Sequence, residues 1–520
     1  METILDDLRA AVYQKGETVF CESVGEYTLP DYLPEIRKLL RIETKLLPTG
    51  QFMGNGKAEF TGTTVHTLLY SDENGKLSSA VLNGDYRFAM PLTAENEMQI
   101  MVESRIDRVS HRLSGPRRIG IRTAIVSDVR FVINECVSMA QTEGSGYSYE
   151  KLKGHCTVSD LYRIVCEELH YSDSYRFDAA RADTVRPIAS DASVFIKDCR
   201  PQADGVYCAG EIWVKFLYGI GEGENELTDV LWRKIPFDTV VPFEKALDYA
   251  VMNGKCTALD ASVSDDGLGS CEVLFDLQLA LEGEGGVNRE VSFVKDMYAH
   301  GAACRVEARE LSAFRFLGAL TQNFSVSGSS SAENPAAGAR AVDCAVTVLP
   351  LTLERENGKI RAIGEAKAEA ILLYPAFEAE SARYERAEFL FPIRMELDGK
   401  QFSENAKYRC HAEFLGGQLR IDGENLRVDG EVAFTLSALE EEKISVLTAV
   451  EPIDTDTAAN ESKDCIIVAY PDSGETLWSV AKRYQTDLAA LAARNRIPER
   501  FIGEPDAPSS IDGVTSIIIA

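Results

Sequence analysis

The chain has 520 residues, which at roughly 100 to 200 residues per domain is enough for three or four domains. Hydrophobic residues make up 45% and charged residues 26%, which excludes global disorder. A formal charge of −28, from 54 Lys and Arg against 82 Asp and Glu, opposes nucleic acid as a partner.

The first seven residues, Met-Glu-Thr-Ile-Leu-Asp-Asp, lack the basic start and apolar run of a secretory signal. No run approaches the roughly 18 apolar residues that a spanning helix needs, so a chain that stays on the cytoplasmic side and does not cross the membrane is expected. None of the 12 cysteines forms a CxxC pair, and several stand in apolar strand contexts, such as Cys208 and Cys344. They read as reduced, buried residues; with only 6 histidines, neither a metal site nor a cofactor is expected.

From residue 25 to residue 450 the chain carries a weak internal repeat. Gly62 precedes Tyr70 by 8 residues, and Gly210 precedes Tyr218 by 8. In a third copy, ending at Tyr374, Ala366 takes the glycine position and Gly364 lies two residues earlier. An apolar-Pro-apolar step follows each tyrosine, at Pro91, Pro236 and Pro392, after 21, 18 and 18 residues. Upstream, Ile36-Arg-Lys-Leu39 stands to Gly62 nearly as Val185-Arg-Pro-Ile188 stands to Gly210, whereas the third copy shows this leading segment poorly.

Each copy reads as antiparallel strands. Ile212, Val214, Phe216 and Tyr218 alternate with Glu211, Trp213 and Lys215, the period-2 pattern of a half-buried strand. Asp72-Glu-Asn-Gly75, Gly219-Ile-Gly-Glu-Gly223 and Arg355-Glu-Asn-Gly358 supply turns, and each proline should lie on an edge or at a strand end. Between the first two copies, apolar residues at 158, 161, 162, 165 and 169 predict a linking helix. Ser325 to Pro335 predicts a mobile loop, and Glu440 to Glu442 a solvated turn.

The glycine, the Leu-Leu-Tyr or Phe-Leu-Tyr strand end, the apolar-Pro-apolar step and Leu33-Pro-Glu-Ile36 resemble the SPOCS domain, a repeated β module of spore-coat and spore-envelope proteins. The expected architecture is three mainly-β repeat domains, antiparallel and sandwich-like, followed by a small α+β module. The divisions are an N-terminal segment 1–24, β domains at 25–168 (with the linking helix), 169–300 and 301–450, a linker 451–463 and the module 464–520.

In that module the order reads β-α-α-β. Leu477, Val480, Ala481 and Tyr484 form the inner stripe of a first helix capped by Thr476. Thr486 or Asp487 caps a second, with Leu488, Leu491 and Ala492 inside. Gly474-Glu-Thr-Leu-Trp478 and Asn495-Arg-Ile497 resemble the LysM domain, although the Pro-Gly-Gln type turn before the last strand is missing. The resemblance implies a shallow groove with Gly474, Glu475, Thr476 and Leu477 on one wall and Arg496, Ile497 and Pro498 on the other. In the LysM family that groove holds N-acetylglucosamine polymers such as peptidoglycan.

SPOCS units followed by a LysM resemble the SipL-like coat morphogenesis family. That resemblance implies a mother-cell cytosolic chain at the forespore surface that binds a SpoIVA-like coat ATPase, with other coat proteins as further partners. A cell-wall glycan-binding protein is the alternative, and a carbohydrate-active enzyme a weaker one. No Gly-x-Ser-x-Gly, HExxH or Walker loop is present, so no catalytic residue is assigned. Against the acidic background, Arg105, Arg108, Arg112, Arg117, Arg118 and Arg122 form a candidate electropositive dock, or else exposed strand faces whose charge discourages edge pairing.

Overall fold

The computed structural model describes residues 7–14, 16–54, 56–92, 98–140, 146–177, 184–221, 226–265, 270–330, 338–375, 382–423, 425–453, 466–498, 510–511 and 513–519. Residues 1–6, 331–335 of the proposed loop, 454–463 of the linker and 499–509 of the long connection lie outside them. The described chain is mostly antiparallel β-sheet, with two helices near the C-terminus.

The first unit contains β1 (Asp7–Gln14), β2 (Thr18–Thr28), β3 (Ile36–Leu46), β4 (Gly50–Gly54), β5 (Lys57–Asp72), β6 (Leu77–Pro91), β7 (Met98–Gly115) and β8 (Arg118–Ser138). The second contains β9 (Tyr149–Phe177), β10 (Val185–Gln202), β11 (Gly205–Ile220), β12 (Leu227–Pro242), β13 (Tyr249–Asp265) and β14 (Cys271–Ala299). The third contains β15 (Ala303–Ser330), β16 (Arg340–Val348), β17 (Thr352–Glu356), β18 (Lys359–Tyr374), β19 (Arg383–Asp398), β20 (Lys407–Asp422) and β21 (Asn425–Ile453). One plan recurs. The last strand of each unit pairs with the first and with the penultimate strand to make an outer sheet, which in the first unit also takes in β2, and the remaining strands form an inner sheet. Proline explains the one variation in the inner sheets. Pro48 and Pro350 lack the N–H a ladder needs and divide the leading strand into β3 with β4 and β16 with β17, while Ile196 lets β10 run on.

Pairing registers show the repeat more sharply than residue spacing does. Each leading strand carries a bulge that skips one residue: Leu40 in the first unit, Ile188 in the second and Val342 in the third. Each skipped residue stands 22 positions before a glycine, 40 to 62, 188 to 210 and 342 to 364. Gly364, rather than Ala366, is therefore the third counterpart; all three strands have 16 residues, so Leu372 takes the place of Tyr70 and Tyr218, and Tyr374 lies two residues beyond it. Leu39 and Ile188, matched on spacing, are likewise one residue out of register. Gly210 is required by close approach, since a Cβ there would lie 1.9 Å from the Phe195 carbonyl oxygen. Pro236 and Pro392 lie opposite Glu211 and Glu365 on the edge strands β12 and β19. Pro91 instead ends β6 opposite Lys57, so its longer spacing marks a different position.

Three expectations are overturned. Thr157 to Leu169 is no helix: it lies in β9, paired along its length with β14. A boundary at residue 168 would cut that strand, and pairing assigns 149–299 to one unit. Ser325 to Ser330 close β15, and Glu440 to Glu442 lie inside β21 opposite Arg315, Phe314 and Ala313. In each case a long partner strand with free ladder groups outweighs the polar or helix-like local sequence.

The two sheets of the second unit enclose a core around Phe216, Phe275 and Leu279, and those of the third one around Phe391, Phe434 and Leu436. The units also share apolar cores. Leu40, Ile188 and Val342 meet with Leu69, Leu217 and Ile371, which occupy matching positions seven residues after the glycines. Lys38 donates to the Tyr384 carbonyl at 3.2 Å and Arg186 to the Leu77 carbonyl at 2.9 Å, so the first unit clasps the third as the second clasps the first. Beside this junction is a buried ionic cluster. Arg41 pairs with Asp343 and, at 2.8 Å, with Glu43, and Lys215 lies 3.3 Å from Asp343. Burial alone would raise the Asp343 carboxyl, but Lys215 and Arg41 outweigh it and hold it well below the usual carboxylate range.

Candidate functional site

The C-terminal module consists of β22 (Val468–Ala469), α1 (Leu477–Arg483), α2 (Leu488–Arg494) and β23 (Ile517–Ile518). Thr476 caps α1 by accepting from the Ser479 amide at 3.1 Å, while the Ser479 hydroxyl accepts from the Thr476 amide, a reciprocal capping box. Asp487, not Thr486, caps α2 through the Ala490 amide at 2.6 Å. Leu477, Val480, Ala481, Leu488, Leu491 and Ala492 are buried as the helical spacing requires, but Tyr484 is partly exposed and Trp478 is buried in its place. Asn495 ties the end of α2 to β23: its amide donates to the Ile518 carbonyl at 2.8 Å and its oxygen accepts from the Ile518 amide at 2.7 Å.

The seven groove residues divide into two groups. Leu477 is fully buried and Ile497 is 9% exposed, so both belong to the module core. The side chain of Thr476 is used in capping. That of Glu475 accepts from the Asp472 amide at 3.0 Å and pairs with Arg483 at 3.1 Å. Gly474, Arg496 and Pro498 are exposed and form the accessible rim, Gly474 and Arg496 with left-handed backbones at φ 80° and 51°. The chain returning to β23 passes this rim, where Ser510 bridges Thr476 and the Ile511 amide donates to the Glu475 carbonyl at 3.0 Å. Exposed apolar side chains stand elsewhere on the module, with Ile466 76% and Tyr470 73% exposed.

Sequence patterning gave no sign that the module is docked. Trp478 supports more than its own helix: its indole donates to Asp296 of β14 at 2.9 Å and packs edge-on against Tyr298, ring centroids 5.0 Å apart. Lys482 pairs with the same Asp296 at 2.6 Å, and the Tyr298 hydroxyl donates to the Thr486 carbonyl at 2.9 Å. The Gly301 amide donates to the Gln485 carbonyl at 2.9 Å. One end of the module is thus fixed to the second unit, while Gly474, Arg496 and Pro498 at the groove remain exposed.

The arginine cluster lies on the outer sheet of the first unit. Arg105, Arg108, Arg112, Arg118 and Arg122 are exposed on β7 and β8; Arg117, at the turn, is half-buried and donates to the Pro30 carbonyl at 2.5 Å. Arg105 pairs with Asp128, and Arg122 pairs with Glu22 at 2.6 Å. Val24 lies directly opposite Arg122 on β2 and is 68% exposed; Phe20 on the same strand is 77% exposed. The face is therefore basic with apolar islands. Near it an open groove of about 860 Å³ is lined by Glu22, Val24, Thr61, Thr63, Asp85, Tyr86 and Arg87 among others.

His155 is exposed and Cys156 buried on one strand, which keeps the pair from converging on one ion. No helix among the described residues is long and apolar enough to cross a membrane.

Residues 472–502 match the LysM domain family, covering both helices and both groove walls. Comparison with curated proteins and with solved structures returns no match.

Proposed function

We propose that the chain is a non-enzymatic scaffold of the bacterial spore envelope whose three β units hold a LysM module at a fixed orientation for a protein partner. The observation that carries this reading is the docking of the module. Trp478, Lys482 and Thr486 engage the second unit, while Gly474, Arg496 and Pro498 stay open. A module tethered only for affinity needs no such anchor, whereas a scaffold gains by fixing the direction of its binding surface. The repeat resemblance to SPOCS units supports the spore setting, with the chain in the mother-cell cytosol at the forespore surface. The partner in this reading is a SpoIVA-like coat ATPase, met by the groove rim and the exposed Ile466 and Tyr470.

The LysM match favours a second reading, binding of peptidoglycan or another N-acetylglucosamine polymer at the same rim. The test sets full-length protein against purified coat ATPase and, separately, against insoluble peptidoglycan. The scaffold reading expects saturable binding to the ATPase that weakens in Arg496→Glu, with little sedimentation on peptidoglycan. Retention on peptidoglycan without ATPase binding overturns it in favour of the glycan reading.

A further inference from the structure

At the seam between module and second unit, three side chains from separate segments converge. Glu150 lies at the start of β9, His300 just beyond β14, and Asp487 at the cap of α2. One ring nitrogen of His300 and one carboxylate oxygen each from Glu150 and Asp487 lie within 4.8 Å of one another. We propose that these three residues bind a divalent transition-metal ion that clasps the C-terminal module to the second β unit.

The donor set selects the class of ion. One imidazole and two carboxylates suit zinc, cobalt or manganese better than calcium, which prefers six or more oxygens, and the absence of thiolate disfavours copper(I). Each ligand is also held by its neighbours. The His300 amide donates to the Ser148 carbonyl at 2.9 Å, and the ring approaches Glu150 at 3.2 Å. Glu150 accepts from the Leu488 amide at 3.3 Å, and Asp487 from Ala490 at 2.6 Å. Backbone on both sides is pinned by the Gly301 to Gln485 hydrogen bond, with Gln485 in the left-handed region at φ 54°. Such outer support keeps a ligand set in place before the ion arrives. Two carboxylates brought together also concentrate acceptor oxygens that a divalent cation would satisfy. Because the ligands come from both sides of the seam, the ion would couple metal affinity to docking, whatever the groove binds.

The experiment uses the full-length chain, stripped with chelator and titrated with Co²⁺, whose absorption separates nitrogen and oxygen ligation from thiolate ligation. This distinction matters because the chain has 12 cysteines. One tight site without a thiolate charge-transfer band is expected, weakened about tenfold or more in His300→Ala and in Asp487→Asn. Asparagine is itself a good helix cap, so the second variant keeps the module folded. In the unsubstituted protein, saturation should also slow proteolytic release of the module. Equal Co²⁺ affinity in all three proteins, a spectrum showing thiolate ligation alone, or no saturable binding would each overturn the proposal.

Discussion

The indole of Trp478 and the carboxylate of Asp296 meet at 2.9 Å across the seam between a small helical module and a long strand of the second β unit. Asp296 also holds Lys482, so one carboxylate serves two groups on α1. A buried aromatic side chain that hydrogen-bonds outside its own module is an anchor, and its loss should show in docking before it shows in the β core. Trp478→Ala is expected to cost about 3–5 kcal/mol of module stability. Trp478→Phe should retain most packing but lose the hydrogen bond, costing about 1–2 kcal/mol. Differential hydrogen exchange over 466–498 measures both, with the β units unchanged as the internal control.

The ionic cluster at the inter-unit junction predicts an asymmetric response to substitution. Asp343→Ala leaves Arg41 and Lys215 to share Glu43 as their one remaining partner in the cluster and should destabilise by about 3–5 kcal/mol. Arg41→Met combined with Asp343→Leu removes both charges of the closest pair and should cost less than Asp343→Ala alone. Urea unfolding of the three proteins decides the order.

Acid should act on the same cluster in a definite direction. The folded Asp343 carboxyl is held below its ordinary value, so its contribution is present above the usual carboxylate range and is lost as pH falls through the folded value. Asp343→Asn should therefore flatten the acid side of the stability profile below about pH 4. An unchanged slope there would count against the assignment.

His66 offers a second pH window. Its ring is buried between the hydroxyls of Thr44 at 2.9 Å and Thr64 at 3.1 Å, and burial pushes its pKa down to about 4. The neutral ring is the folded form, so the stability it contributes is present above the ordinary histidine value of about 6.5 and falls away toward pH 4. His66→Gln should remove that part of the pH dependence, read from thermal unfolding at pH 7 and pH 4.5.

The basic sheet face makes a prediction about association. Arg108→Glu with Arg112→Glu and Arg118→Glu should abolish any salt-sensitive binding of acidic partners and leave stability within about 1 kcal/mol, since these side chains are exposed. Arg117→Glu belongs to another class. Arg117 donates to the Pro30 carbonyl, and its reversal should loosen the turn before β3. Light scattering across salt concentrations, paired with thermal unfolding, separates the two.

The repeat was legible in the sequence because the glycines at 62 and 210 and the prolines at 236 and 392 hold equivalent backbone positions, which glycine's freedom and proline's missing N–H restrict to few other residues. Its register was not, because each bulge inserts one residue without any composition signal: Leu40, Ile188 and Val342 look like ordinary strand residues. The false helix has a physical cause as well. Of the helix-like stripe, Val158, Leu161 and Leu169 pack against three different clusters because β9 buries one face and then the other along its length. A strand covered on both sides in succession imitates helical spacing. In the module, capping and stripes were readable from short-range pattern, yet the partner of Trp478 lies 182 residues away and left no local trace.

The three bulged strands place Arg41, Ala189 and Asp343 at one and the same position of a shared backbone plan. The units are therefore alike in shape but not exchangeable. A trimer assembled from three separate copies of the third unit would turn three aspartates toward one another, and the third unit cut out alone would leave Asp343 without the cations that the first two supply. Shuffling the units along the chain would keep every strand intact and still change which charges face each other; their order is as much a part of the design as their fold.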